Sequence, residues 1–244
     1  TTTGSLDDAK ENTGVGSGVF NDLTSGDMCT AIGFQSLYSN TTGGNNTAVG
    51  NTALYTNTTG VNNIAVGNKA LYSNTTGLSN VANGLRALYT NETGSRNIAN
   101  GSDALYTNET GNNNCSNGHE SLFFNTTGSN NIANGYGALK LNTTGNDNVA
   151  IGHQAGTDNV TGDKNTYIGH GANAVDDQTA LSNSTAIGYN AKITESNQIM
   201  LGTAAEKVKI PGTELSVGGD VIFTGGLKQD DGAGNLSDFR GGAL

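Results

Sequence analysis

Proline occurs once in this chain, cysteine twice and tryptophan not at all. Charged residues make up 13%, and only 11 of them are Lys or Arg. Hydrophobic residues total 34%, a low share for a globular domain. Each shortage excludes something. Too few bulky side chains exist to fill one large core. The net charge of -10 and the scarcity of cations argue against nucleic acid, which selects basic stripes, and against anionic membrane surfaces. No apolar run approaches the roughly 20 residues needed to span a bilayer, so membrane insertion is not expected. No signal peptide is visible and the chain starts at Thr1, so a processed product or a part of a longer one is expected.

What the chain has instead is Gly, Asn and Thr in strict register. The Gly closing each Ala-x-Gly tripeptide recurs at Gly16, Gly33, Gly50, Gly67, Gly84, Gly101, Gly118, Gly135, Gly152 and Gly169, a step of 17 residues. The Thr-Gly turn keeps the same step from Gly43 to Gly162. A disordered polar chain needs no register, so the period means one small unit stacked on copies of itself. Within the unit, Asn63-Ile-Ala-Val-Gly67 alternates sides as a short strand does. Ala70-Leu-Tyr-Ser73 alternates in the same way and reads as a second strand, and Asn74-Thr-Thr-Gly77 as a turn. No unit holds enough uninterrupted sequence for a stable helix. The expected fold is all-β: a parallel β-solenoid of about ten coils.

Columns sharpen this. Ala65, Ala82 and Ala99 belong to a column so consistently small that it must lie inside a thin roll. Leu54, Leu71, Leu88 and Leu105 supply the bulk opposite. So little is buried per coil that a lone chain is expected to be marginal. The column beside Ala reads Val49, Val66, then Asn83, Asn100, Asn117 and Asn134, then Ile151 and Ile168. Alternation points it away from the interior, and its apolar flanks favour a face covered by further copies of the chain over an exposed column that simply drifts. Stacked Asn amides there can bond along a ladder.

Five segments are expected: a lead-in at 1–11, the regular array at 12–171, irregular coils with an insertion at 172–202, a β-rich meander or prism at 203–227, and a polar tail at 228–244. Cys29 and Cys115 fall about five coils apart, roughly 24 Å at 4.8 Å per strand, too far for a disulfide. Two free thiols are expected.

Few residues suggest chemistry. His153 and His170 occupy one column on adjacent coils and form a candidate metal pair. The same column also holds Phe34, Asn51 and Leu85, which favours a permissive surface position. Eight Asn-x-Thr triplets, from Asn40 to Asn159, match the N-glycosylation pattern, although Asn-Thr-Thr-Gly is also ordinary turn chemistry. An unbroken Thr column from Thr42 to Thr161 raises ice binding as a remote alternative, weakened by Glu92 and Glu109 in the column before it. The aromatic column Tyr38, Tyr55, Tyr72, Tyr89 and Tyr106 suits packing between subunits or stacking on sugars. No Ser, Cys or carboxylate pairs with a His in a recognisable motif, and no phosphate-cradling Gly loop precedes a helix. No enzymatic activity and no cofactor is expected.

Ser184-Thr-Ala-Ile-Gly-Tyr-Asn-Ala191, Asn197-Gln-Ile-Met-Leu-Gly202 and the Asn46-Thr-Ala-Val-Gly50 copies resemble the head repeats of trimeric autotransporter adhesins. The longer unit with Ala-Leu-Tyr-x-Asn-Thr-Thr-Gly is similar to repeats of bacteriophage tail-fibre proteins and large bacterial surface proteins. Residues 198–223 resemble the segment that follows such repeats in virion appendages. The resemblance covers about residues 12–223. It implies left-handed rolls in a parallel homotrimer. The period of 17 is longer than the adhesins' own, and no coiled-coil stalk or anchoring barrel is evident, which favours a virion fibre over an adhesin head. The expected role is a non-enzymatic structural or adhesive fibre, on a virion or at a cell surface. Its expected partners are itself, other fibre components and a host-surface glycan or protein.

Overall fold

The chain divides into two units, residues 1–207 and 208–244. The computed structural model describes residues 11–175, 178–203, 228–230 and 236–238. In the first unit each coil contributes one three-residue strand. Twelve such strands, from Thr13–Val15 to Ile199–Leu201, form one parallel sheet in consecutive order. Twelve strands make about eleven turns, one more than the repeat count suggested. The described residues contain no helix.

The register follows the repeat. Ile64, Ala65 and Val66 pair with Val81, Ala82 and Asn83 one coil on. Short strands suffice because hydrogen bonds to neighbouring coils continue around the whole turn. Ile64 N–H donates to Asn80 O at 2.8 Å, Leu71 N–H to Ala87 O at 2.9 Å, and Thr75 N–H to Glu92 O at 2.9 Å. Few buried backbone groups are thus left to be satisfied by anything outside the stack.

Ala70–Ser73 is not a strand, and this corrects the sequence reading. The segment is a run of turns, with Lys69 at φ 57° and Leu71 at φ 53°. Left-handed backbone recurs at every Leu of that column, from Leu37 at φ 49° to Leu139 at φ 50°. The conformation costs a residue with a Cβ about 1–2 kcal/mol. Complete burial of the Leu side chain returns about 2 kcal/mol, so the position is held by packing.

The interior is as narrow as the Ala column implied. Ala65, Ala82 and Ala99, like Leu54, Leu71, Leu88 and Leu105, are fully buried. The closing bend fixes one residue type. Gly67 sits at φ 138°, and a Cβ there would strike the Gly84 carbonyl of the next coil.

The period shift near residue 172 adds a second parallel pair, Asn173–Ala174 with Lys192–Ile193. In the second unit Lys228–Asp230 pairs antiparallel with Leu236–Asp238, inside the segment expected to be a polar tail. The expected lead-in, apart from Glu11, and the expected β-rich segment at 203–227, apart from Thr203, lie outside the described residues.

Candidate functional site

Polar side chains fill the part of the interior that apolar ones leave open. Asn74 Nδ2 donates to Asn57 Oδ1 at 2.8 Å and to Gly77 O at 3.0 Å, and Asn91 Nδ2 donates in turn to Asn74 Oδ1 at 2.8 Å. The same link joins Asn40 to Asn159 without interruption. A second inner file opens each coil. Asn63 Oδ1 accepts from Asn80 N–H at 3.0 Å, while Asn63 Nδ2 donates to Gly77 O at 2.9 Å. These are satisfied buried amides, which low surrounding polarity strengthens.

The first file consists of the eight Asn-x-Thr asparagines. Each is at most 1% exposed and its Nδ2 is committed, so the folded chain offers no acceptor amide at these positions. The third-position threonines from Thr42 to Thr161 are exposed in single file. Hydroxyls of the column before them are engaged, as where Thr58 Oγ1 donates to Thr75 O at 3.0 Å.

The candidate interface residues all lie on the outward face of the sheet. Val66 is 38% exposed, Ile151 43% and Ile168 37%; Asn83 and Asn134 are exposed, and Val49, Asn100 and Asn117 half-buried. Asn100 Nδ2 donates to Asn117 Oδ1 at 2.9 Å, so part of the polar block already bonds along the axis. The column two residues earlier shares this face and carries Ile64, Ile98, Ile132 and Ile199, all exposed. Together the columns make a strip about 50 Å long and 7 Å wide, on the order of 350 Å². That matches the largest apolar patch of an ordinary monomer, drawn out into a narrow strip and divided by the Asn block. Both cysteines are free: Cys29 is buried in an inner Asn column, where burial pushes its thiol up, and Cys115 lies on the outward face.

Two ring ladders run along the roll. Tyr38, Tyr55, Tyr72, Tyr89, Tyr106 and Phe123 stack at centroid spacings of 5.0 to 5.2 Å. Burial, then the flanking Tyr55 and Tyr89, raise the Tyr72 phenol. Arg86 places its guanidinium 5.3 Å from the Tyr106 ring centre and grips Asp103 with Nε at 2.8 Å and Nη2 at 3.0 Å. The second ladder is His119, Tyr136, His153, His170 and Tyr189. His153 and His170 are neighbours, with ring centres 4.8 Å apart and planes within 5°. Parallel rings aim their in-plane lone pairs alike, which is poor geometry for one shared ion. Among the described residues no group of three His, Cys, Asp or Glu could hold a metal ion.

The regular filling changes toward the C-terminal coils. Gly156 replaces the Leu of its column, and one coil on Tyr167 replaces the Ala of the facing column. A Cβ on Gly156 would meet the Tyr167 ring at 2.6 Å, so that ring occupies the missing Leu's space. Tyr167 is fully buried and its hydroxyl donates to Asn159 Oδ1 at 3.4 Å. Desolvation, with Asp158 acting the same way, holds the phenol far above its ordinary value. The neutral form is the favoured one, so its contribution is present below about pH 10 and lost as pH rises beyond that. Beside this swap lies a cavity of about 290 Å³, lined in part by Gln154, Asp158, His170, Asn190 and Lys192.

The sequence reading found the outward column and the Tyr ladder. It aligned His119, Tyr136, His153 and His170 in one column but not as stacked rings, and it missed Tyr189 at the end, where the step lengthens from 17 to 19 residues. It also missed the cavity, which needs residues from three coils. No helix of the described residues is long and apolar enough to cross a membrane.

No known protein-family model matches this chain, and no curated protein does either. The structure itself defines the class: a parallel β-solenoid repeat protein.

Proposed function

We propose that this chain is a shaft or head segment of an extracellular fibre, working as a non-enzymatic spacer and adhesive element. The reading is a parallel homotrimer of left-handed rolls, with the outward sheet faces turned toward a threefold axis. A phage tail fibre or virion appendage is the first assignment, and a bacterial surface adhesin head the alternative. One observation carries it: the outward apolar column from Val15 to Leu201, interrupted only by the Asn83–Asn134 block. Parallel copies in register place Asn against Asn and Val or Ile against their like, and so take out of water a face that a lone chain leaves exposed. Association would also cover the side of a roll whose own core is thin. Light scattering on the 244-residue chain is expected to give three times the chain mass. A stable monomer at micromolar concentration overturns the reading.

A further inference from the structure

The repeat's filling side chains fail together at one place. The Leu column continues as Leu139, Gly156, Asn173 and Lys192, and the aromatic column as Phe123, Lys140, Thr157 and Ala174. The roll therefore loses an apolar ridge where the cavity of about 290 Å³ opens. Its walls present hydrogen-bonding groups. Asp158 is oriented by Asn173, whose Nδ2 donates to Oδ2 at 2.8 Å and whose Oδ1 accepts the Asp158 N–H at 3.2 Å. Asp158 Oδ1 is left free to accept among the described residues. Among the described residues, the Gln154, Asn190 and Lys192 side chains have no hydrogen-bond or ion-pair partner.

The second ring ladder ends at the same spot. His170 lines the cavity and stacks against Tyr189 with centres 5.3 Å apart. Every inner ring of that ladder has both faces covered by neighbours. Tyr189 is the last among the described residues, 62% exposed, with one face against His170 and no ring of the described residues on the other. An exposed phenol thus adjoins His170 and Asn190, which line the cavity, although Tyr189 is not itself part of the lining.

The phenol and the polar lining are the complements of a sugar. Saccharide hydroxyls both donate and accept, matching a carboxylate acceptor, amides that do both and an ammonium donor. The C–H face of a sugar ring packs on an exposed phenol, while apolar ligands find too little apolar wall here. An isolated phosphate would find one Lys opposed by Asp158. We propose that the cavity and the Tyr189 face form a saccharide-binding site for one or two sugar units of a surface polysaccharide. This rests on the reading of the chain as a surface fibre and supplies the contact such a fibre would make.

An array of immobilised neutral and uronic-acid-bearing oligosaccharides, probed with the intact chain, tests it. Binding to at least one class is expected, and the two classes distinguish whether Lys192 meets a hydroxyl or a carboxylate. Tyr189→Ala and Asp158→Ala are each expected to weaken that binding at least tenfold. Phe34→Ala, in the same column at the far end of the roll, should leave it unchanged. Light scattering and melting temperature of the Tyr189→Ala chain, where the side chain is exposed, should match the parent. No saccharide bound, or binding that survives both cavity variants, overturns the site while leaving the mass measurement, and so the fibre reading, intact.

Discussion

Asn91 shows what a single residue does in this stack. Its Nδ2 satisfies Asn74 Oδ1 and Gly94 O, and its Oδ1 receives Asn108 Nδ2 at 2.7 Å. Replacement by Ala strips three buried groups of a partner at once. Asn108 keeps its bond to Gly111 O and Gly94 O keeps the one from Asn80 Nδ2, so the loss falls mainly on Asn74 Oδ1. At about 1–3 kcal/mol for an unsatisfied buried group, Asn91→Ala is expected to destabilise the fold by about 1–3 kcal/mol. Thr93→Ala, two residues away and exposed, should stay within about 0.5 kcal/mol. Urea unfolding of both variants checks the contrast; equal effects would mean that the amide file is not what holds the coils.

The coil is the element of this protein, and its two halves are built differently. Both halves alternate in and out along the sequence, so Ala-Leu-Tyr-Ser was legible as alternating but not as turned. A path of alternating right- and left-handed residues sends side chains to opposite sides just as a strand does. The pattern shows which residues face the interior, and the backbone sign at Leu71 lies outside what it can report. Coils are also coupled to their neighbours through volume. Gly156 stands at φ 63°, the same backbone that other coils give to Leu. Gly156→Leu alone must collide with the Tyr167 ring, and Tyr167→Ala alone leaves a void worth about 3–5 kcal/mol. The double variant restores the common coil. Its stability is expected to exceed the sum of the single effects by at least about 2 kcal/mol in a double-mutant cycle, and simple additivity would refute the exchange of volume.

At the scale of the whole molecule the outward face is the open question that the fold poses. Four Asn layers set among Val and Ile layers act as an alignment mark in any parallel assembly. A slip of one coil buries amide against aliphatic at each end of the block. Changing Asn83, Asn100, Asn117 and Asn134 together to Val removes the mark and adds apolar area. The expected outcome is tighter association with mixed registers. Spin labels placed by Thr93→Cys in a Cys115→Ser background should give one narrow inter-chain distance with the Asn block and several without it. A narrow distribution in both assigns the register to something else.

The sequence alone determined the period, the parallel stacking, the inward Ala and Leu columns and the outward Val, Asn and Ile column. Each is a repeated choice, and repetition makes a side chain's facing readable from spacing. The tertiary structure decided three things that spacing leaves open. It placed the Asn-x-Thr asparagines inside, because a buried file of amides depends on where the next coil's carbonyls fall. It turned the Leu segment left-handed, because burial of the side chain offsets the backbone strain only once the coil has closed. It joined Asp158, His170 and Lys192 around one cavity, because those residues lie on successive coils and meet only when the stack brings them within reach.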